Sequence, residues 1–170
     1  MSDPNYVTPY GYERLRRELD WLERTERPKV VAEVSYAASL GDRSENAEYI
    51  YGKKRLREID RRRGFILKRM EKMRLVDPAT LSGTVVRFGA TVVLADEDGE
   101  EKTWRIYGED EVDVGKGILS WRSPIARAIL GKSEGDSARF EAPGGQREVE
   151  IVAVRYEPAP AVPDDLDFSR

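Results

Sequence analysis

Two neighbouring stretches concentrate the chemistry this chain could perform. The first is Leu40-Gly-Asp-Arg-Ser-Glu-Asn-Ala-Glu-Tyr49. Asp42 and Glu45 stand three residues apart at the start of a helical pattern, a spacing that turns two carboxylates to one side, where they can converge on a hard divalent cation such as Mg2+. Two carboxylates are a poor site alone. Mg2+ prefers six oxygens, so the pair would hold it weakly unless another molecule supplied further ligands. The same Asp-x-x-Glu spacing is also that of a capping box, with Asp42 at the N-cap and Glu45 bonding back to its N–H, and Ser44 is itself a good N-cap residue. Glu48, one turn further on, complements the positive end of the helix.

The second stretch is Lys53-Lys-Arg-Leu-Arg-Glu-Ile-Asp-Arg-Arg-Arg63, with seven basic residues in eleven. Leu56 and Ile59 belong to an apolar stripe, so most of the basic groups must project away from it, either as a phosphate-contacting face or as an ordinary solvated one. Tyr49 and Tyr51 lie between the two stretches and could stack on bases or simply pack. Arg63, on the stripe itself, is expected to snorkel to solvent or pair with Glu26.

The elements that must position these groups follow from periodicity. Apolar residues at Tyr12, Leu15, Leu19 and Leu22 and then, after a slip near Pro28, at Val30, Val34 and Ala37 form one helical stripe. Thr8-Pro9 suits its start, and Pro28 should kink it or shift its phase. A second stripe runs Tyr49, Gly52, Leu56, Ile59, Arg63, Ile66, Met70 and Met73, with Gly52 and Arg63 as its non-apolar members. Residues 1–77 are therefore expected to form an antiparallel coiled-coil hairpin with arms about 45 Å long. Its tip falls at residues 40–49, with Leu15 near Met70 and Tyr12 near Met73.

Beyond Asp77-Pro78 the period changes to that of strands. Strands are expected at residues 83–88, 90–94, 102–107, 117–121, 137–141 and 147–155. One short helix, punctuated by Ser123, Pro124 and Gly131, lies among them. The fold class is α+β: the helical hairpin, then an antiparallel β-sheet domain over residues 78–156. Residues 157–170, with three prolines and an Asp-Asp pair, read as a disordered acidic tail.

Composition excludes much else. There is no cysteine and no histidine in 170 residues, which removes disulfides, thiol nucleophiles, Ser-His-Asp triads and Cys/His zinc sites. No run of eighteen apolar residues is present and no signal peptide is visible, so no membrane contact is expected and the cytoplasm is the expected location. The net charge of −3 divides unevenly: residues 1–77 carry 18 Lys and Arg against 14 Asp and Glu, residues 78–170 carry 11 against 18.

The segments Leu40–Tyr49 and Lys53–Arg62 together closely resemble the Gre family of bacterial transcript-cleavage factors, and Ser123-Pro124-Ile-Ala-Arg127 is similar to a second motif of that family. Arg43 and the Lys-Lys-Arg-Leu-Arg run resemble its GreB branch. The resemblance implies that the coiled coil enters the secondary channel of RNA polymerase and brings the tip to a backtracked active site. There Asp42 and Glu45 would complete the coordination of a second Mg2+ shared with the polymerase. Ser44 would help position water or the metal ligands. Lys53, Lys54, Arg55, Arg57 and Arg61 would contact the extruded nascent RNA 3′ end. The resemblance further implies an FKBP-like C-terminal domain docking on the channel rim through Ser123 and Pro124, although Arg122 departs from the polar or acidic residue expected there. The protein would act as a monomer and would not itself be an enzyme. The rival readings are a Gre-like paralogue that inhibits polymerase without stimulating cleavage, a prolyl isomerase, and an inert coiled-coil adaptor; a zinc-containing regulator of the DksA type would need cysteines.

Overall fold

The computed structural model describes residues 4–41 and 46–169. It forms a mixed helix-and-sheet protein of two compact units, one of residues 13–72 and 163–170 and one of residues 1–12 and 73–162. The division is not a single cut at Asp77. The first residues belong with the sheet because strand β1 (Asn5–Val7) pairs in parallel with β2 (Met73–Leu75).

In the helical unit, α1 (Pro9–Trp21, its first turn assigned to the sheet unit) runs through a π-helical segment (Leu22–Glu26) into α2 (Arg27–Ser39), and α3 (Ala47–Glu71) returns beside them. The π segment accounts for the slip in the stripe. Arg27 N–H bonds the carbonyl of Leu22, five residues back, and Pro28 sits in the first turn of α2, where its missing N–H and its ring are tolerated. One extra residue in the turn moves the buried positions from a seven- to an eight-residue interval between Leu22 and Val30. The seam buries Leu15, Leu22, Val30 and Ala37 from one side and Gly52, Ile59 and Ile66 from the other. Tyr12 departs from expectation: it is exposed and lies in the sheet unit, at the turn where α1 emerges. The antiparallel sense is visible in ion pairs whose numbers run in opposite directions, Glu18 with Arg62 and Arg27 with Asp60.

Gly52 is on the seam for a steric reason. A Cβ there would lie 2.5 Å from Val34 Cγ2, and valine has almost no freedom at χ1 in a helix. Gly52→Ala should therefore destabilise the hairpin by about 1 kcal/mol, overpacking outweighing the gain in helix propensity. Gly64, in the same helix, has nothing within 4 Å of a built Cβ. Gly64→Ala should stabilise by about 0.5–1 kcal/mol. Chemical denaturation of the two variants checks the pair, and equal signs would refute the close approach.

In the sheet unit, β3 (Thr91–Ala95), β4 (Glu101–Tyr107), β5 (Ile118–Ser120), β6 (Ser137–Ala142) and β7 (Gly145–Arg155) form one sheet in the order β5-β4-β3-β7-β6. It curls round a core that includes Val92, Ile106, Ile129 and Ile151, and α4 (Pro124–Ile129) packs against β6. The expected all-antiparallel sheet is corrected to a mixed one. β5 runs parallel to β4, because residues 108–117 cross over through two short 3-10 turns before the chain pairs again. Residues 83–88 form no strand; the backbone of Thr84 and Val86 bonds instead to Gly131, Lys132 and Glu134 after α4.

One side chain fastens the N-terminal segment to this unit. Glu111 is fully buried, and its two oxygens accept from the backbone N–H of Thr8, Gly11 and Gly108 and from the Thr8 hydroxyl. These groups include free donors at the first turn of α1, which starts where Tyr12 N–H bonds the Thr8 carbonyl. Burial pushes the Glu111 carboxyl above its ordinary value, against the opposing pull of the bonds from Thr8, Gly108 and Gly11. Gly11 and Gly108 are the residues that allow the approach, since a Cβ on Gly11 would fall 2.3 Å from Glu111 Cγ and one on Gly108 2.3 Å from the Tyr6 carbonyl oxygen.

Candidate functional site

Asp42, Ser44 and Glu45 lie outside the described residues, between Gly41 and Asn46. What the structure shows is the frame that carries them. α2 ends at Ser39, and α3 begins at Ala47 with Asn46 as its N-cap. The Asn46 side chain accepts from Tyr49 N–H at 3.1 Å and donates to the Ala37 carbonyl at 2.6 Å, so one amide caps α3 and ties it to the end of α2. The cap of α3 is Asn46, while the capping readings of Asp42, Ser44 and Glu45 fall on residues outside the described ones. Glu48 does lie in the first turn of α3.

Hard oxygen donors of the kind Asp42 and Glu45 carry suit Mg2+. Among the described residues no group of three or more His, Cys, Asp or Glu could hold a metal ion.

The basic run sorts into two faces. Lys53, Lys54, Arg57 and Arg61 are exposed, and among the described residues none has an ion-pair partner. At about 100° per residue these four fall within roughly one quarter of the helix circumference. Arg55 is set apart from them: it lies 3.4 Å from Glu58 and 3.8 Å from Glu26, its side chain 30% exposed. Arg62 pairs with Glu18 across the hairpin, and Arg63 pairs at 2.7 Å with Glu23 rather than Glu26. Tyr49 is half-buried beside the cap, and Tyr51 is 72% exposed between the tip and the basic stripe.

Of the second motif, Ser123 is the N-cap of α4, its hydroxyl accepting from Ala126 N–H at 3.3 Å, and Pro124 is the first helical residue. Arg122 is already engaged, with its guanidinium 4.7 Å above the Trp121 ring and paired with Glu109. Tyr6 packs on the same tryptophan at 5.3 Å and on Phe88 at 5.5 Å. Sequence reasoning missed Glu111, which nothing local distinguishes from its acidic neighbours, and it missed the tail. Residues 157–169 contain no helix or strand, yet Val162 is buried and Leu166 and Phe168 are half-buried. The alternation Asp165-Leu166-Asp167-Phe168 was the available signal.

Comparison with known proteins covers nearly all of this chain. Residues 5–75 match the family model described as "Transcription elongation factor, N-terminal", and residues 81–156 match "Transcription elongation factor, GreA/GreB, C-term". Transcription elongation factor GreB of Yersinia pestis is 48% identical over 158 residues, 93% of this chain and 92% of that protein. GreB of Pasteurella multocida is 51% identical over 157 residues, 92% of this chain and 99% of that protein. Among solved structures, that of the transcription factor Gfh1 aligns with a TM-score of 0.43 at 24% identity, covering 91% of this chain and 99% of that one.

Proposed function

Because the chain belongs to the GreA/GreB family of transcription elongation factors, on its GreB branch, we propose that it enters the secondary channel of bacterial RNA polymerase and stimulates the polymerase's own Mg2+-dependent cleavage of backtracked RNA. The observation that supports this reading is the hairpin itself: α2 ends at Ser39 and α3 begins at Ala47 under an Asn46 cap, so Asp42 and Glu45 fall in the segment that joins the two helices. An ion bound there would supply activation of water and stabilisation of the leaving oxygen. The chain's own groups have separate tasks. Asp42 and Glu45 present oxygen donors, and Ser44 positions water or those donors. The stripe of Lys53, Lys54, Arg57 and Arg61 holds the phosphates of the extruded 3′ segment by charge. Arg55 joins that face where phosphate takes the place of its glutamate partners, Glu58 at 3.4 Å and Glu26 at 3.8 Å.

The sheet unit is the docking part of the proposal. The FKBP-like reading draws support from a curled five-stranded sheet packed against one short helix. Ser123 and Pro124 would meet the channel rim, with Arg122 held back by Glu109 and Trp121.

The test is a cleavage assay on halted, backtracked polymerase complexes, in which added protein should release a 3′ RNA fragment and restore elongation. Channel occupancy without fragment release would refute the proposal. Arg57→Glu with Arg61→Glu should weaken stimulation mainly on deeply backtracked complexes, by about tenfold or more, because only those place several phosphates along the stripe. Equal loss on all complexes would instead indicate damaged polymerase binding.

A further inference from the structure

The hairpin carries a second constellation, on a face that the basic stripe does not occupy. Each arm contributes a glutamate and a tyrosine three residues apart, Glu33 and Tyr36 from α2 and Glu48 and Tyr51 from α3. With Ala47 and Gly52 these four line a cleft of about 360 Å3. Gly52 sets the register, since it packs against Val34; in an antiparallel pair this puts Glu33 within about one turn of Tyr51, and Tyr36 within about one turn of Glu48. Tyr36 is 66% exposed and Tyr51 72%, so packing does not account for either ring. Among the described residues neither Glu33 nor Glu48 has an ion-pair partner. Lys29 and Arg55, one turn further along their helices, line the next cavity instead, and Arg55 is engaged by Glu58 and Glu26. On α3 the cleft residues centre about 130° round the helix from Lys53, Lys54, Arg57 and Arg61.

We infer that this cleft is a receptor for an arginine side chain of a protein partner. The source of that arginine, the wall of the polymerase channel, rests on the function proposed above. Both kinds of lining group select a cation: the faces of tyrosine rings are negative, and the carboxylates accept hydrogen bonds from a guanidinium fork. A metal ion is a poorer guest, because two carboxylates are few for a hard cation and among the described residues no larger set of ligating side chains is present. Phosphate is repelled by the same carboxylates, which leaves RNA to the stripe on the other face. Arginine fits better than lysine, since its group is planar, stacks on rings and is more weakly hydrated. The hairpin thus turns one face to nucleic acid and another to protein.

The test has a direct arm and a functional one. Full-length protein carrying isotope-labelled tyrosine is titrated with the blocked tripeptide acetyl-Gly-Arg-Gly-amide, the ring resonances of Tyr36 and Tyr51 being assigned with Tyr36→Phe and Tyr51→Phe. Both rings should shift saturably, whereas the citrulline tripeptide, of the same shape without the charge, and adenosine should leave them in place. Glu33→Gln with Glu48→Gln should weaken tripeptide binding about fivefold or more. Tyr36→Phe should bind as the wild type does and Tyr36→Leu should not, because the ring face is the contact. Absence of a saturable shift, or an equal shift with citrulline, overturns the cation site; an equal shift with adenosine makes the cleft a base-stacking surface and overturns it too. In the cleavage assay the Glu33→Gln, Glu48→Gln protein should need about tenfold more protein for half-maximal fragment release, with the rate at saturation unchanged. An unchanged half-maximal concentration overturns the channel wall as the source of the arginine. Absence of fragment release by the wild type overturns the proposed function and that source with it, while the tripeptide titration decides the cleft in either case.

Discussion

Asp42→Asn and Glu45→Gln are each expected to cut stimulated cleavage about a hundredfold or more at limiting Mg2+, while stability and polymerase binding stay within error of the wild type. The size follows from the chemistry proposed for the tip, since a divalent ion at a reacting phosphate contributes several kcal/mol of charge stabilisation and each 1.4 kcal/mol is tenfold in rate. The amide variants keep the shape of the side chains and remove the charge. Their neutrality toward folding is expected because the N-cap of α3 is Asn46, whose side chain accepts from Tyr49 N–H and donates to the Ala37 carbonyl. Excess Mg2+ should restore part of the lost activity, as expected of a weakened ligand set. Fragment release at wild-type rates by both variants at low Mg2+ would refute the metal role. Asn46→Ala gives the converse result: a loss of about 1 kcal/mol of hairpin stability from the missing cap, measured by thermal unfolding.

The largest expected effect on stability is at Glu111, far along the sequence from the tip. Glu111→Ala leaves the N–H groups of Thr8, Gly11 and Gly108 and the Thr8 hydroxyl without their acceptor in a fully buried site. Unsatisfied buried donors cost about 1–3 kcal/mol each, partly relieved by entering water, so a total loss of about 3–5 kcal/mol is expected. For a unit of this size that lowers Tm by roughly 10–20 °C or more. Glu111→Gln should recover only part of the loss, because its amide nitrogen would face a backbone N–H where the second carboxylate oxygen now accepts. Calorimetry on the three proteins checks the order wild type, Gln, Ala. A Gln variant as stable as the wild type would show that one acceptor suffices.

Particular residues show how far the sequence could be read. The hairpin was legible because apolar periodicity records which face of a helix is buried, and the seven-residue spacing of Gly52, Ile59 and Ile66 survives intact in the burial of α3. Even the slip at Pro28 was visible, although not its form: a π turn differs from a kink only in which carbonyl each N–H selects. Gly52 stood out as a non-apolar member of the stripe, but its reason, Val34, is on the other helix. Five of the six strands expected after Asp77 were placed by β-branched and aromatic runs, residues 83–88 being the exception, yet their pairing could not be read. Whether β5 runs parallel or antiparallel to β4 depends on the path of the crossover between them.

The sequence by itself determined the identity and order of the chemistry: two carboxylates, then a basic run, on a chain with no histidine or cysteine to support another reaction. These are local properties, carried by residue type and by spacing within one helix. Tertiary structure decided which of those groups are free. It assigned the cap to Asn46, turned Arg62 and Arg63 toward glutamates of the opposite arm, set Arg55 between Glu58 of its own helix and Glu26 of the other arm, and left Lys53, Lys54, Arg57 and Arg61 exposed to solvent. It also made Glu111 a fastener and brought Phe168 to Trp21. The physical reason is common to all of these. A hydrogen bond, an ion pair or a ring contact is a property of two groups, and when they stand tens or a hundred residues apart only the folded chain determines which two meet.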